Sequence, residues 1–153
     1  MDLSHDELAG VVDLFTALTR EELTTALAEL AYRQGTEDAV FTDQIDAAVE
    51  RYFLVEFERD GTAYLTPGPV AFPELPDGGE DLPHILDVEL REIDRSAIAT
   101  PVEARFRRDA AAAVNAGDDE RILHLLDVSY DLEAWGPVDL DAARDLLDEA
   151  RAN

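Results

Sequence analysis

The chain has 153 residues and no cysteine, and its 36 acidic residues outnumber 12 basic ones, giving a formal net charge of −24. The length suits one compact domain or two very small ones, and the lack of cysteine excludes disulfides and thiol chemistry. The sequence contains no apolar run long enough to cross a membrane and no signal peptide, so we expect a soluble, cytoplasmic protein.

The acidic excess describes the protein's surroundings better than it describes a binding site. Acidic residues are spread along the whole chain, and 46% of residues are apolar and periodically arranged, which argues against a disordered acidic tail. Such a charge repels itself in dilute buffer, but the Debye length at 1 M salt is only roughly 3 Å. We therefore predict a protein adapted to a very salty cytoplasm.

Two capping boxes open the first two predicted helices. Ser4 and Glu7 form the first box, and Thr19 and Glu22 form the second. Gly35 is suited to end the second helix, because glycine adopts the left-handed conformation found just after helices. The buried stripes of these helices are Leu8, Val11, Val12, Phe15 and Leu18, then Leu23, Ala26, Leu27, Leu30 and Ala31.

A third short helix follows and leads directly into a hairpin. Thr42 and Asp43 are suitable N-cap residues for it. From Val55 the apolar residues alternate as in a strand, and Asp60-Gly61 favours a two-residue turn. The helix presents one apolar face, formed by Phe41, Ile45, Ala48, Val49 and Tyr52. Counting across the turn places Arg59 opposite Thr62 and Phe57 opposite Tyr64.

Three helices followed by a hairpin are the order of a winged helix-turn-helix module, which we predict for residues 5–72. The first strand that is usual in such modules would have to be the short Ala39–Phe41 segment. One core should collect a large side chain from each element, namely Phe15, Leu27, Ile45 and Phe57. The third helix and the hairpin correspond to the recognition helix and the wing.

Residues 73–98 are predicted to connect this module to the rest of the chain. Residues 67–83 hold five prolines and three glycines, which indicates an extended strap. We expect the strap to be anchored on the domain by Val70, Phe72, Leu75 and Leu82, although a proline-rich ligand for a partner is the alternative. Residues 84–98 fit a strand and a helix equally well.

The last region, residues 99–153, is predicted to contain about three helices packed on the first module. Thr100 to Glu103 is a capping box with Pro101 at the first helical position. Gly117 should end that helix and Asp118 should cap the next, which stops around residues 135–137. Asp139 should cap the final helix. The predicted fold class is mostly α (α+β).

No motif indicates catalysis. The histidines lack HExxH spacing, the serines lack nucleophile-elbow glycines, and the chain contains no phosphate-binding glycine loop. His84 and Asp87 fall one helical turn apart, and a solvated or capping pair explains them. We therefore expect no enzyme activity, no cofactor, no metal site and no small-molecule substrate.

Arginines concentrate locally at the start of the last region. Arg105, Arg107 and Arg108 share one predicted helix, with Arg91 and Arg95 upstream. They are the candidate contacts to a nucleic acid or another anion, while ion pairing with nearby acids is the interpretation that we favour. The predicted recognition helix and wing are acidic instead, with Asp43, Asp46, Glu50, Glu56, Glu58 and Asp60.

Three stretches resemble a family of uncharacterised haloarchaeal proteins. They are Leu8–Gly35, Leu65–Glu89 with its Leu82-to-Val88 motif, and Tyr130–Asp139 with its Tyr130-to-Trp135 motif. The resemblance implies a haloarchaeal source and brings no catalytic residues. The N-terminal half is also similar in architecture to winged-helix regulators.

Two functions from different classes are the main hypotheses, and an enzyme ranks third. The first is a non-enzymatic interaction or regulatory module that binds a protein partner or a second copy of itself. The alternative is a DNA-binding transcriptional regulator, dimeric through its C-terminal helices. An exposed apolar patch would favour a protein partner, whereas a positive stripe beside the wing would favour DNA.

Overall fold

The structure, a computed structural model, describes residues 3–35 and 40–152. It is 61% helical and contains a two-stranded antiparallel hairpin, so the fold is mostly α with a small β element. The chain divides into two compact units, Met1–Ile93 and Asp94–Asn153, called here the N-terminal and C-terminal units. Over the described residues, no helix combines the length and the apolar character needed to cross a membrane.

The N-terminal unit consists of three helices, a hairpin and a short fourth helix. In chain order these are α1 (His5–Asp13), α2 (Arg20–Arg33), α3 (Thr42–Glu50), β1 (Leu54–Arg59), β2 (Thr62–Pro67), a 3-10 turn (Gly79–Asp81) and α4 (Leu82–Ile85). The C-terminal unit consists of three helices, α5 (Arg95–Ala116), α6 (Asp119–Trp135) and α7 (Asp141–Ala152).

The capping boxes predicted for the first two helices are confirmed. Ser4 Oγ accepts a hydrogen bond from the Glu7 backbone N–H at 3.0 Å, and the Glu7 carboxylate accepts one from the Ser4 N–H at 3.0 Å. Thr19 and Glu22 exchange the same two bonds, at 3.1 and 2.9 Å. Gly35 has a φ of 78° just beyond α2, so the predicted stop is also confirmed. Each box satisfies two N–H groups that the first helical turn leaves without a partner.

The start of α3 was predicted wrongly. The helix begins at Thr42 after Phe41, which occupies the N-cap position without a side-chain bond, so neither Thr42 nor Asp43 caps it. Phe41 is buried with 2% of its surface exposed. Its burial places the chain in the core at the helix start, and packing outweighs the capping preference. Tyr52 is buried too, but it lies beyond α3 with a φ of 67°.

The hairpin has the predicted register. Phe57 pairs with Tyr64 and Arg59 with Thr62, and the two aromatic rings stack with centroids 5.7 Å apart. Asp60 and Gly61 both have positive φ, 53° and 80°, as a type I′ turn requires. The predicted short strand at Ala39–Phe41 is not confirmed, because Val40 and Phe41 are not in a strand and Ala39 lies outside the described residues.

A turn after α1 brings a second backbone segment alongside β2. Leu18 N–H donates to the Leu65 carbonyl at 3.0 Å, and Leu65 N–H donates back at 2.7 Å. Thr66 Oγ1 donates to the carbonyl of Thr16, at 2.8 Å. Leu18 was predicted on the stripe of the first helix, but α1 ends earlier, at Asp13, and Leu18 is buried through this bridge instead.

The core of the N-terminal unit joins α1, α2, α3 and the hairpin. Phe15, Leu27 and Ile45 belong to one buried cluster, each at most 2% exposed, as predicted. Phe57 is buried but does not belong to this cluster, so that part of the prediction is wrong. Its ring stacks on Tyr64 on the hairpin, because the strand alternation turns residue 57 away from the face that carries residue 65.

The strap after β2 is anchored less deeply than predicted. Leu82 is fully buried, but Phe72 and Leu75 are 81% and 47% exposed, so neither of these two is an anchor. The ambiguous segment, residues 84–98, is neither a strand nor one helix: residues 84–85 end α4, residues 86–94 form neither helix nor strand, and residues 95–98 begin α5. The chain leaves α4 extended, with φ −90° and ψ 134° at Leu86.

α5 begins six residues earlier than predicted. Asp94 is its N-cap and accepts from the Ser96 N–H at 3.0 Å, so Thr100 does not cap it and Pro101 lies inside the helix. Proline inside a helix removes one hydrogen bond, at a cost of about 3 kcal/mol. The additional turn buries Ile98 and Ala99, which offsets that cost.

The other boundaries of the C-terminal unit follow the sequence signals. Gly117 has a φ of 64° after α5, and Asp118 accepts from the Arg121 N–H at the start of α6. Asp139 accepts from the N–H of Asp141, where α7 begins, so its carboxylate bonds the helix start from one position earlier than predicted. The inward faces of the three helices form the buried core of the unit, which includes Phe106, Ala110, Ile122, Leu125, Leu132, Leu140 and Leu147.

Candidate interaction surfaces

The exposed face of α3 is acidic, and an arginine from another helix of the same unit neutralises part of its charge. Asp43, Asp46 and Glu50 are all exposed. Arg20, at the start of α2, reaches this face and bonds Asp46 at 2.7 Å and Glu56 of β1 at 3.2 Å. The Arg20 guanidinium is therefore already engaged by two carboxylates, and it joins α2, α3 and β1.

The hairpin adds no available positive charge to that face. Arg59 donates to the backbone carbonyl of Glu92 at 2.7 Å, and its guanidinium lies 5.7 Å from the centre of the Phe57 ring. Arg51, at the C-cap of α3, is exposed and makes no ion pair within the described part of the chain. One unengaged arginine does not form a positive stripe of the kind that phosphate contacts need.

The three predicted anion contacts lie on α5 in three different environments. Arg105 pairs with Asp109 at 3.4 Å, and Arg107 pairs with Glu103 at 3.1 Å, each one helical turn away. Arg108 is exposed and, among the described residues, makes no ion pair. The helix that carries these arginines therefore also carries carboxylates one turn away from two of them.

The two upstream arginines are used structurally. Arg91 binds both carboxylate oxygens of Glu22, at 2.6 and 2.9 Å, and donates to the Ala17 carbonyl at 3.0 Å. Arg95 donates to the Trp135 carbonyl at 2.8 Å, with its guanidinium 4.5 Å from that ring's centre. The sequence cluster from 91 to 108 is therefore divided between the two units.

The strap presents an aromatic side chain from a fixed backbone. Asp6 of α1 accepts from the Phe72 N–H at 2.9 Å through its carboxylate and from the Glu74 N–H at 3.0 Å through its carbonyl. A Cβ on Gly10 would lie 2.0 Å from the Glu74 carbonyl oxygen, so the strap crosses α1 where only glycine fits. Phe72 nevertheless points outwards, 81% exposed.

A groove lies between the first turns of α2 and the extended segment after α4. Its volume is about 290 Å³, and it is lined by Glu21, Glu22, Thr25, Leu86, Asp87 and Val88. The hydrogen bonds from Arg91 hold the pKa of Glu22 below its ordinary value. Glu22 is therefore a carboxylate that stays ionised, with Arg91 as its fixed counter-charge.

Acidic residues also meet in the C-terminal unit. Glu133, Asp139 and Asp141 form, among the described residues, the one group of three or more side chains with metal-ligand spacing. Arg144 lies in this group and bonds Glu133 through both nitrogens, at 2.7 and 3.1 Å, and also Asp141. Those bonds lower the pKa of Glu133. The guanidinium of Arg144 therefore occupies carboxylate oxygens that a metal ion would otherwise bind.

Sequence reasoning did not identify the groove or the Arg144 cluster. Each is assembled from residues that are distant in sequence or separated by a turn. Their acidic residues do not stand out individually in a chain that has 36 of them. Glu133 and Arg144 lie on different helices, α6 and α7, so periodicity along one helix gives no indication that they meet.

Comparison with known proteins places the chain in a family. No curated protein and no solved structure matches it. The model of the family described as "Family of unknown function (DUF7109)" matches residues 6–152, which is nearly the whole chain. The chain therefore belongs to the DUF7109 family.

Proposed function

We propose that the chain is a non-enzymatic regulatory module whose N-terminal unit is a winged-helix-like scaffold that binds a protein partner. The order of three helices and a hairpin supports the scaffold, since it is the order of such modules. The exposed, backbone-fixed Phe72 carries the proposal, because aromatic residues, phenylalanine included, are enriched in protein interfaces relative to the rest of the surface.

The strap reduces the entropic cost of binding. Its backbone is already ordered by two hydrogen bonds to Asp6, so docking Phe72 has to order only a side chain. Leu75, also exposed, lies three residues further along the same strap. The complementary surface is an apolar pocket on a protein that accepts one aromatic ring.

A change at Phe72 tests this proposal. Affinity capture at molar salt should be run with the wild type, with Phe72→Ser and with Leu123→Ser, a control that alters an exposed leucine of the C-terminal unit. We expect a defined set of proteins bound by the wild type and the control but lost with Phe72→Ser. The same set retained by all three proteins would contradict a strap-mediated interaction.

DNA binding is the weaker alternative, because the winged-helix reading face carries the wrong charge. Asp43, Asp46 and Glu50 would enter the major groove between phosphates, where carboxylates are repelled. We expect no sequence-specific binding through α3. Any nucleic-acid affinity should come from the α5 arginines, and should be lost when Arg105, Arg107 and Arg108 are all changed to Ala.

Binding assays on genomic fragments at molar salt separate these possibilities. The triple arginine variant is compared with one in which Asp43, Asp46 and Glu50 become Asn, Asn and Gln. A specific footprint that disappears only in the second variant would establish a DNA-binding regulator and overturn our proposal.

We also propose a haloarchaeal origin and function in a salt-rich cytoplasm. The net charge of −24 supports this, because screening of like-charge repulsion stabilises such a fold. The melting temperature should rise steeply between about 0.1 M and about 3 M KCl. An unchanged melting temperature over that range would remove the argument for salt adaptation.

A further inference from the structure

We propose that the groove between α2 and the segment after α4 binds a lysine side chain presented by the partner protein. The inference rests on the protein-binding function proposed above, but it concerns residues separate from the strap. The groove is lined by six residues, all in the N-terminal unit: Glu21, Glu22, Thr25, Leu86, Asp87 and Val88. Size, charge, apolar lining and free backbone groups together identify the occupant.

The groove has the size of a site for one side chain. Its volume of about 290 Å³ lies at the lower end of ligand pockets, which run from roughly 300 to 1,000 Å³. Drug-sized molecules and cofactors fill pockets larger than this. A single long side chain entering from a partner surface is of suitable size.

The rim of the groove carries two carboxylates without counter-ions. Glu21 and Asp87 are exposed and, in the described part of the chain, make no ion pair. Glu22 between them is different, because Arg91 occupies both of its oxygens. The uncompensated charge is therefore negative and comes from two separate elements, α2 and the segment after α4.

An arginine of the chain itself, Arg91, already binds one of the carboxylates that line the groove. Arg91 extends from the chain onto Glu22, and its guanidinium lies 4.8 Å from the centre of the Tyr64 ring. The bidentate position that suits a guanidinium is thus filled. Glu21 and Asp87 lie on two separate elements, and an ammonium suits two separate carboxylates because its three N–H donors point in different directions.

The apolar lining fits the stem of a lysine. Leu86 and Val88 are half-buried and face the groove, and both pack against the core of the unit. Lysine covers apolar surface with its methylene chain while its charged end stays in water. A ligand with charge but no stem would leave these walls uncovered.

The backbone beside the groove points to a polypeptide and not a free amine. Among the described residues, the N–H and C=O groups of Asp87, Val88 and Glu89 make no hydrogen bond to another backbone group. An extended peptide can pair with them while its side chain fills the groove. None of these 153 residues is a lysine, so no side chain of this sequence can be the occupant.

A titration with capped tripeptides tests this assignment. The probes are a tripeptide with central lysine, the same tripeptide with norleucine, which has a neutral alkyl side chain, and butylammonium. Binding is followed by the amide NMR shifts of Thr25, Asp87 and Val88. We expect the lysine tripeptide to bind about tenfold more tightly than either other probe, a difference of about 1.4 kcal/mol.

Matched charge variants provide the controls. Glu21→Gln with Asp87→Asn should weaken lysine binding about tenfold, whereas Asp43→Asn with Glu50→Gln, which removes the same charge from α3, should leave it unchanged. Carbodiimide coupling of the lysine probe to the wild type adds a readout that needs no variant. Mass spectrometry should place the new amide at Glu21 or Asp87.

Three results would overturn the inference. The first is equal binding of the norleucine tripeptide, which would remove the role of charge. The second is equal binding of butylammonium, which would remove the polypeptide. The third is coupling spread evenly over exposed carboxylates. None of these measurements involves Phe72, so a failure here is distinct from a failure of the strap interaction.

Discussion

The two compact units use their arginines over very different ranges of sequence. In the N-terminal unit, Arg20 joins α2 to α3 and β1, and Arg91 bonds Glu22 across 69 residues. In the C-terminal unit, Arg105 and Arg107 pair one helical turn away on their own helix. Ion pairs in the first unit thus reach across up to 69 residues, whereas those in the second act within one helix or between consecutive helices, as in Arg121–Asp109 and Arg144–Glu133.

The largest expected effect comes from the core of the N-terminal unit. Ile45→Ala removes a side chain that is 2% exposed, so it should lower the unfolding free energy by about 2–5 kcal/mol through lost transfer energy and a cavity. Urea unfolding at high salt measures this. Ile122→Ala is the counterpart in the other unit, where Trp135, the chain's single tryptophan, reports unfolding. A neutral Ile45→Ala variant would mean that α3 buries another face.

The next largest effect should follow from closing the space between α1 and the strap. Gly10→Ala places a Cβ 2.0 Å from the Glu74 carbonyl oxygen, and relieving that clash should cost about 1–3 kcal/mol. The control Glu74→Ala keeps the carbonyl and should be nearly neutral. Proteolysis and urea unfolding report the change. Equal stability of Gly10→Ala and the wild type would show that the strap does not lie on α1.

The long-range ion pair should matter less than packing and should depend on pH. Arg91→Ala leaves Glu22 without its charged partner, at a cost of about 1–3 kcal/mol. Because the pair lowers the pKa of Glu22, its stabilisation is complete above the unfolded-state pKa of about 4.3 and is lost as pH falls below it. Urea unfolding between neutral and acid pH should therefore show a shallower acid loss in the variant. Parallel curves would contradict the pairing.

The smallest effect is expected for a pair within one helix. Arg107→Ala removes a solvent-exposed ion pair with Glu103 and an exposed hydrogen bond to the Asp139 carbonyl, and the ion pair should contribute about 0.2–1 kcal/mol and less at high salt. Its comparison with Arg91→Ala measures the difference between the units directly. If Arg107→Ala proved as damaging as Arg91→Ala, the contrast in how the units use arginine would be wrong.

Local features were predictable because their physics lies within a few residues. The capping boxes at Ser4 and Thr19, the Asp60-Gly61 turn with its register, and the stop at Gly117 each depend on neighbours that the sequence displays. The misplaced starts of α3 and α5 show the limit of this approach. At these two positions, burial of Phe41 and of Ile98 outweighed the capping preferences of Thr42 and Thr100.

The candidate surfaces were less predictable, because they depend on contacts between distant segments. Phe72 looks like an anchor by composition, yet hydrogen bonds from the strap to Asp6, 66 residues earlier, hold it outwards. Arg91 belongs to a cationic cluster in the sequence, but in the fold its guanidinium is bonded to Glu22. Periodicity describes which residues prefer burial, and it does not describe which chain segment arrives beside them.

The bridge between Leu18 and Leu65 has a consequence for association between copies. A two-stranded sheet has two edges whose unpaired backbone groups can recruit a foreign strand. The bridge occupies the β2 edge, and within the described residues no third strand pairs with β1. That remaining edge bears the exposed carboxylates of Glu58 and of Glu56, which is paired with Arg20. Negative charge on an open edge resists edge-to-edge pairing, so the acidity of the hairpin protects the protein against aggregation.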